Sequence, residues 1–168
     1  MFWVGAAVVA LSGCISQQQI NGTVRVQRDS FRGTAVVRAE MLMRSAERNA
    51  EVVVSGERGA DFVLLSLRVG SDIRSPLATC FIEAASGTQV LSLPRPTHRM
   101  EPIGGGFSLA HEHFVVPLTL DQAELLFRGI PRFRVCSSAF LPTREQIETF
   151  HQFWDEFAPA TLTPARAN

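Results

Sequence analysis

The sequence predicts an α+β domain built on a mainly antiparallel sheet of about five to seven strands. Short apolar or alternating segments outnumber helical ones, and they follow one another without a regular strand–helix–strand order. Two Thr-x-x-Gln sequences, which begin at Thr119 and Thr143, resemble capping boxes and open amphipathic segments. Hydrophobic residues make up 46% of the 168-residue chain and charged residues 19%, a balance that supports one folded core.

The N-terminal third of the domain is predicted to form a strand followed by a helix. Val24 and Val26 alternate with polar residues over residues 23–27, which predicts a short strand. Residues 34–50 support two structures. A helix is favoured by strong helix formers, by the i,i+4 pair of Glu40 and Arg44, and by five apolar residues at helical spacing: Ala35, Ala39, Leu42, Ala46 and Ala50. The alternative is a strand with one apolar face made of Val37, Ala39, Met41 and Met43. We predict the helix.

Most of the chain between these elements and residue 137 is predicted to form strands. Residues 62–69 are almost wholly apolar, the pattern of a central strand that is covered on both faces. Residues 51–55 carry three valines and could extend the preceding helix or start a strand; we predict the strand. Turn-forming residues separate four further strand candidates, at residues 77–83, 89–93, 107–116 and 133–137.

Two more helices are predicted toward the C-terminus. The first capping box predicts a short helix near residues 120–128, which Gly129 and Pro131 close. The second opens a longer amphipathic helix that ends before Pro159 and has one apolar stripe, made of Ile147, Phe150, Trp154 and Phe157. A stripe of this kind predicts a helix that packs on the sheet.

The charge balance limits the partners of the protein. Sixteen basic residues balance sixteen acidic ones, so the formal net charge is zero. No global field draws such a chain onto nucleic acid, and we therefore predict no nucleic-acid partner. Any electrostatic partner must bind a local patch.

The N-terminus predicts export. Residues 2–11 form an apolar run that fits the core of a signal peptide and is too short to span a bilayer. The run ends in Leu11-Ser12-Gly13-Cys14, which resembles the lipobox of bacterial lipoproteins. The resemblance covers the first fourteen residues and implies cleavage before Cys14 and attachment of two or three fatty acyl chains, palmitate among them, at that cysteine. The alternative is an ordinary buried cysteine on an apolar N-terminal helix.

The lipoprotein resemblance implies a domain organisation and a location. Residues 1–13 would be the signal peptide, 14–22 a lipidated tether, 23–158 a single domain and 159–168 a flexible tail. The domain would face the periplasm, held on the membrane of the cell envelope by the lipid on Cys14. Ile15 is not the acidic residue that commonly retains such proteins on the inner membrane, so the outer membrane is favoured.

The remaining two cysteines fit an exported protein. With Cys14 lipidated, Cys80 and Cys136 form an even pair in an oxidising compartment, which predicts a disulfide between them. The alternative is two unrelated buried thiols. Neither cysteine belongs to a Cys-x-x-Cys sequence or to a Cys and His cluster, so the pattern does not indicate redox catalysis or zinc binding at these residues.

The sequence His111-Glu112-His113 is the strongest candidate for metal chemistry. Histidines at i and i+2 of a strand project from one face about 7 Å apart, and Zn(II) or Cu(II) accepts such a pair. A third ligand would have to come from His98 or His151. Phe107, Leu109 and Val115 share the same face, so the alternative is a pair of histidines at the edge of an apolar surface.

A second candidate is a basic, proline-rich segment. Residues 94–99 predict a semi-rigid loop in which Arg95, His98 and Arg99 could bind peptidoglycan, lipid head groups or a protein. The simpler interpretation, which we favour, is a solvated connecting loop.

These patterns favour a non-catalytic binding or assembly role in the cell envelope, with another envelope protein as the partner. A metal-binding lipoprotein that uses His111 and His113 is the alternative function. No nucleophile-elbow sequence is present, and the scattered carboxylates do not nominate an acid and a base, so an enzyme is disfavoured.

Overall fold

The computed structural model describes residues 21–72, 76–77, 82–103 and 109–158. These residues form ten strands and two helices; one helix lies between the eighth and ninth strands, and the other follows the tenth. The strands are β1 (Thr23–Asp29), β2 (Thr34–Arg44), β3 (Asn49–Glu57), β4 (Phe62–Asp72), β5 (Ile82–Ser86), β6 (Gln89–Leu91), β7 (Thr97–Pro102), β8 (Leu109–Thr119), β9 (Pro131–Val135) and β10 (Ser138–Phe140). The helices are α1 (Leu120–Arg128) and α2 (Arg144–Phe157).

The strands form two antiparallel sheets. The large sheet has the order β1-β2-β3-β4-β8-β7, and the small sheet has the order β10-β9-β5-β6. Strands β4 and β8 pair along their whole length, from Phe62 opposite Thr119 to Asp72 opposite Leu109. This long central ladder fixes which residues of the large sheet share a face.

The core lies between one face of the large sheet, the two helices and the small sheet. Strand β2 contributes the alternating buried residues Val37, Ala39, Met41 and Met43. Helix α2 packs on β1, β2 and β3 and also contacts α1. Aromatic rings join the layers: Phe127 of α1 stacks on Phe150 of α2 with centroids 5.4 Å apart, and Phe133 of β9 lies 6.0 Å from Phe150. Together these residues form one continuous core.

The predicted α+β class is wrong, because antiparallel sheet dominates the structure. The helix predicted over residues 34–50 does not form: these residues belong to β2 and the start of β3. Helix propensities differ by well under 1 kcal/mol per residue, whereas strand pairing on both sides of β2 satisfies its backbone and buries its alternate side chains. The alternation of buried and exposed residues therefore decides the structure of this segment, and the helical spacing of its alanines does not.

The strand count and one strand environment also differ from the prediction. The described residues form ten strands instead of the predicted five to seven, because β2 was predicted as a helix and because β7 and the three-residue β10 carry weak sequence signals. Strand β4 is central, as predicted, but it is covered on one face only, because Phe62 and Leu64 are exposed on the other.

The two C-terminal helices agree with the sequence. Thr119 and Gln122 form a reciprocal capping box at the start of α1, and Thr143 and Gln146 do the same for α2. Three residues of the predicted α2 stripe, Phe150, Trp154 and Phe157, are fully buried, and the fourth, Ile147, is half-buried.

The structure describes neither end of the chain, since residues 1–20 and 159–168 lie outside the described ranges. The predicted signal peptide, Cys14 and the tether up to residue 20 fall outside the described residues, as does the predicted tail 159–168. Asn21, within the predicted tether, lies against α2, because the hydroxyl of Thr149 is 3.1 Å from the carbonyl of Asn21 and 3.0 Å from the carbonyl of Glu145, between which its one proton is shared. Within the described ranges, no helix is long and apolar enough to cross a membrane.

Candidate functional site

Strands β7 and β8 bring the two predicted groups of site residues together. Arg99 of β7 lies opposite His113 of β8, and Glu101 lies opposite His111. His98 and Arg99 therefore belong to a strand, which corrects their predicted position in a loop, while Arg95 remains in the exposed connection that precedes β7. The edge of the large sheet is the best candidate site because it concentrates these side chains.

The outer face of the large sheet, which points away from the helices, carries a charged cluster. We define the charged cluster as Glu51, Arg68, Arg99, Glu101, His111 and His113. Cross-strand register places these residues in two adjacent rows across β3, β4, β8 and β7.

Acidic and basic side chains of the charged cluster contact one another directly. Nη1 of Arg68 lies 3.3 Å from Oε2 of Glu51, and Nε2 of His113 lies 3.2 Å from Oε2 of Glu101. Nε of Arg99 is 3.7 Å from Oε1 of the same Glu101. Each carboxylate of the cluster therefore has a cationic or imidazole neighbour.

A cleft of about 410 Å³ opens beside His111. Its walls include Arg48, Glu51, Arg68 and Gly70, and Nη1 of Arg48 donates to the carbonyl of Gly70 at 3.1 Å. Burial lowers the pKa of His111 below its usual 6.5, and the positive charge of Arg68 lowers it further. The neutral imidazole is thus the favoured form at this wall of the cleft.

The predicted metal site lacks its third ligand. His98 lies on the opposite face of the sheet from His111 and His113, since it pairs with the buried Phe114. His151 lies on α2, where Nε2 is 3.2 Å from the carbonyl of Gly129. Across the described ranges, no three His, Cys, Asp or Glu side chains are grouped so that they could hold a metal ion. Metal binding by His111 and His113 therefore stays a prediction, and neither His98 nor His151 is placed to supply the third ligand.

Glu112 is a buried carboxylate that the sequence reasoning missed. Its side chain has no exposed surface. Oε1 accepts the backbone N–H of Leu77 at 2.7 Å, and Oε2 lies 2.7 Å from Nε2 of His98. The signal was present in the strand alternation, because Glu112 occupies the same phase of β8 as Phe114 and Val116.

Hydrogen bonding keeps the Glu112 carboxylate ionised. Burial opposes the charged form, but favourable interactions with the Leu77 N–H, with Ser71 and with the His98 ring together outweigh it and hold the pKa of Glu112 below its usual 4.5. The imidazole of His98 also packs on Phe114, with ring centroids 4.9 Å apart. Glu112 thereby ties the connection after β4 to the inner side of the β7–β8 edge.

The outer face also carries apolar side chains, which are interspersed with polar residues such as Arg38, Ser55 and Ser66. Phe62 and Leu64 of β4 are 49% and 36% exposed. They belong to an apolar patch, which we define as Val36, Val53, Phe62, Leu64, Val115 and Pro117. Leu64 lies opposite Pro117 of β8 in the register, so the patch continues from β4 to β8, whereas Ser55 of β3 lies opposite Leu64 on its other side.

Of the predicted cysteine sites, the structure describes only Cys136. This residue lies in the turn between β9 and β10 with a φ of 55°, and it packs partly buried against the core. Cys80 and Cys14 lie outside the described residues. The bridge between Cys80 and Cys136 and the lipidation of Cys14 therefore stay predictions.

Comparisons of the chain with protein-family models, with curated proteins and with solved structures found no match. No activity, substrate or partner can therefore be carried over from a relative. Any function proposed for the chain has to rest on its own residues and their geometry.

Proposed function

We propose that the protein is a lipid-anchored binding domain of the cell envelope that contacts another envelope protein through the outer face of its large sheet. The observation that supports this role most strongly is the exposure of Phe62 and Leu64 on β4. This strand lies inside the large sheet, with at least two strands on each side of it. A central strand of a sheet that packs helices on one face only leaves such apolar groups in water unless a partner covers them.

The composition of the outer face suits a protein partner. The apolar patch adjoins the charged cluster, so a partner would meet an apolar centre beside a polar margin. Arg68 and Arg99 offer planar guanidinium groups to carboxylates or main-chain carbonyls of that partner. The cleft beside His111 would receive a polar side chain.

A binding role fits the state of the ionisable groups better than catalysis does. Glu51 and Glu101 are each engaged by a basic side chain of the charged cluster. The buried Glu112 is occupied by Leu77 and His98 and has no exposed surface. These carboxylates stabilise the sheet edge and are not poised to transfer a proton to a bound molecule.

The membrane location in this proposal comes from the lipobox resemblance at residues 11–14. A lipid on Cys14 would keep the domain at the envelope surface, where the outer membrane is favoured and partner proteins are concentrated in two dimensions.

The proposal is tested by capturing partners from detergent-solubilised envelopes with the wild type and with a Leu64→Glu variant. Leu141→Glu is the matched control, because Leu141 is also an exposed leucine but lies near the small sheet. We expect the wild type and the control to recover the same protein, and Leu64→Glu to recover at least about tenfold less. Thermal unfolding must show that both variants fold. Equal recovery by all three proteins, or no protein above background with the wild type, would overturn the proposal.

A further inference from the structure

The hairpin that joins β1 and β2 projects from the large sheet. Residues 25–33 are all exposed, and β1 is an edge strand that pairs with β2 alone. At the tip, Phe31 is 100% exposed. Val26 and Val36 are exposed on opposite faces of the hairpin, so neither the helices nor the small sheet covers this end.

The turn that presents Phe31 is well defined. The side chain of Asp29 accepts the backbone N–H groups of Phe31 at 2.9 Å and of Arg32 at 3.1 Å. Gly33 completes the turn in the left-handed region with a φ of 67°. The exposure of Phe31 is therefore a property of an ordered turn.

Basic side chains flank the exposed ring. Arg28 and Arg32 lie within three residues of Phe31, and Arg25 lies farther along β1. The one nearby acid, Asp29, is used by the turn and lies 4.0 Å from Arg32. In the part of the chain that the structure describes, Arg25 and Arg28 form no ion pair. The hairpin tip therefore combines one apolar ring with guanidinium groups that are available to an anion.

We propose that this tip is a membrane-contacting element that inserts Phe31 into the surface of an anionic lipid bilayer while Arg28 and Arg32 bind lipid phosphates. The inference rests on the lipid anchor of the proposed function, which would hold the tip close to a bilayer. Guanidinium groups bind phosphate oxygens in a bidentate manner, and basic residues beside a membrane are attracted by anionic lipids. An exposed aromatic ring between such residues has its apolar partner in the acyl region.

The length of the tether permits this contact. From Cys14 to Asn21, which is held on α2, seven residues span at most about 24 Å. Strand β1 extends about 20 Å from Thr23 to the turn. A lipid on Cys14 and the ring of Phe31 can therefore reach the same bilayer surface.

The register places the charged cluster at the end of the large sheet opposite the hairpin tip, whereas Val36 and Phe62 of the apolar patch lie at the hairpin end. The hairpin turn follows Asp29, whereas Asn49 and His111 lie in the rows at the opposite end of the large sheet. With the tip in the bilayer, the charged cluster would point away from the membrane and toward a partner.

The test uses the mature, membrane-extracted protein with a Phe31→Trp substitution, reconstituted into vesicles that contain phosphatidylglycerol and lipids brominated on the acyl chain. Tryptophan fluorescence is measured as the difference from the wild type, which removes the signal of Trp154, the one native tryptophan of a chain that begins at Cys14. Leu141→Trp is the control, because Leu141 is exposed and lies just before the first residue of α2. The hairpin tip lies toward the other end of this helix, where Phe157 packs on Gly56 of β3. Flotation and intact mass report the lipid anchor independently.

We expect the tryptophan at position 31 to shift to shorter wavelength and to lose at least half of its emission, while the tryptophan at 141 stays unquenched. Replacing Arg28 and Arg32 by Gln should reduce the quenching several-fold. An unquenched position 31 on protein that floats with the vesicles, or equal quenching at both positions, would overturn the inference and leave the anchor standing. Quenching at 31 in a protein without fatty acids would keep the inference and reject the anchor. A spectral shift that required added envelope proteins would assign the tip to a protein partner and reject the bilayer.

Discussion

Nε2 of His98 lies 2.7 Å from Oε2 of Glu112, a carboxylate with no exposed surface on the inner side of the large sheet. The second oxygen of the same carboxylate accepts the backbone N–H of Leu77. One buried charge thus joins β8, β7 and the connection after β4. Such a group stabilises the fold only while its partners are in place, because an unpaired buried donor or charge is expensive.

Replacing Glu112 by Ala should lower the free energy of unfolding by about 3 kcal/mol, since the Leu77 N–H and the His98 ring lose their acceptor. Glu112→Gln, which keeps one acceptor oxygen, should lose about 1 kcal/mol. Urea unfolding of the two variants measures both values.

The pKa of Glu112 is lowered in the folded state, so its stabilising effect is complete above pH 4.5 and is lost as the pH falls through the folded value. Glu112→Gln should flatten this acid dependence; an unchanged slope would show that another group controls it.

The ionisation of His111 should depend on its neighbours in the charged cluster. Burial and then the charge of Arg68 lower its pKa, so an NMR titration should give a midpoint below 6.5. Arg68→Gln should raise that midpoint while leaving the effect of burial in place. Because the folded state favours the neutral ring, the contribution of His111 to stability should decline as the pH falls below 6.5. A midpoint that Arg68→Gln does not move would contradict this assignment.

Close packing between β3 and α2 should make Gly56 intolerant of a side chain. A Cβ atom at Gly56 would lie 2.5 Å from Cε2 of Phe157, a fully buried ring that stacks on Phe153. We expect Gly56→Ala to lower the free energy of unfolding by about 2 kcal/mol. Gly70→Ala is the matched control, because nothing lies within 4 Å of its added Cβ; its effect should stay within about 0.5 kcal/mol. Equal effects of the two substitutions in thermal unfolding would argue against this packing of β3 on α2.

Protein from an oxidising compartment should contain a bridge between Cys80 and Cys136. A thiol reagent added to the denatured, unreduced mature protein should modify neither Cys80 nor Cys136. After reduction, the same reagent should modify both. The bridge would close a loop of 56 residues, from 80 to 136, and removing it should lower the stability by up to about 4 kcal/mol. Two reactive thiols before reduction would show that the cysteines are not joined.

The sequence predicts the C-terminal helices well because their signals are local. The capping boxes at Thr119 and Thr143 and the apolar stripe of α2 are each complete within one element. Strand β2 is different, because Ala39 fits both the helical and the alternating pattern. Only the pairing of β2 with β1 and β3 decides between them, and that pairing is a long-range property.

Half of the charged cluster was predicted from the sequence: Arg99, His111 and His113 were candidate site residues, whereas Glu51, Arg68 and Glu101 were not. His111 and His113 share one face of a strand, as the i,i+2 spacing predicts. Their neighbours Arg68 and Glu101 come from β4 and β7, whose register no local pattern determines. The role of Glu112 was concealed by its position between two more conspicuous histidines, although its phase on β8 already placed it on the apolar side.

The proposed envelope location, the predicted disulfide and the proposed membrane contact of the hairpin all depend on the proposed lipid anchor at Cys14. The intact mass of protein extracted with detergent from the membranes of its native host tests this claim most directly. We predict a chain that begins at Cys14 and carries two or three fatty acyl groups. A chain that retains residues 1–13, or that is recovered from the soluble cytosol without fatty acids, would contradict it.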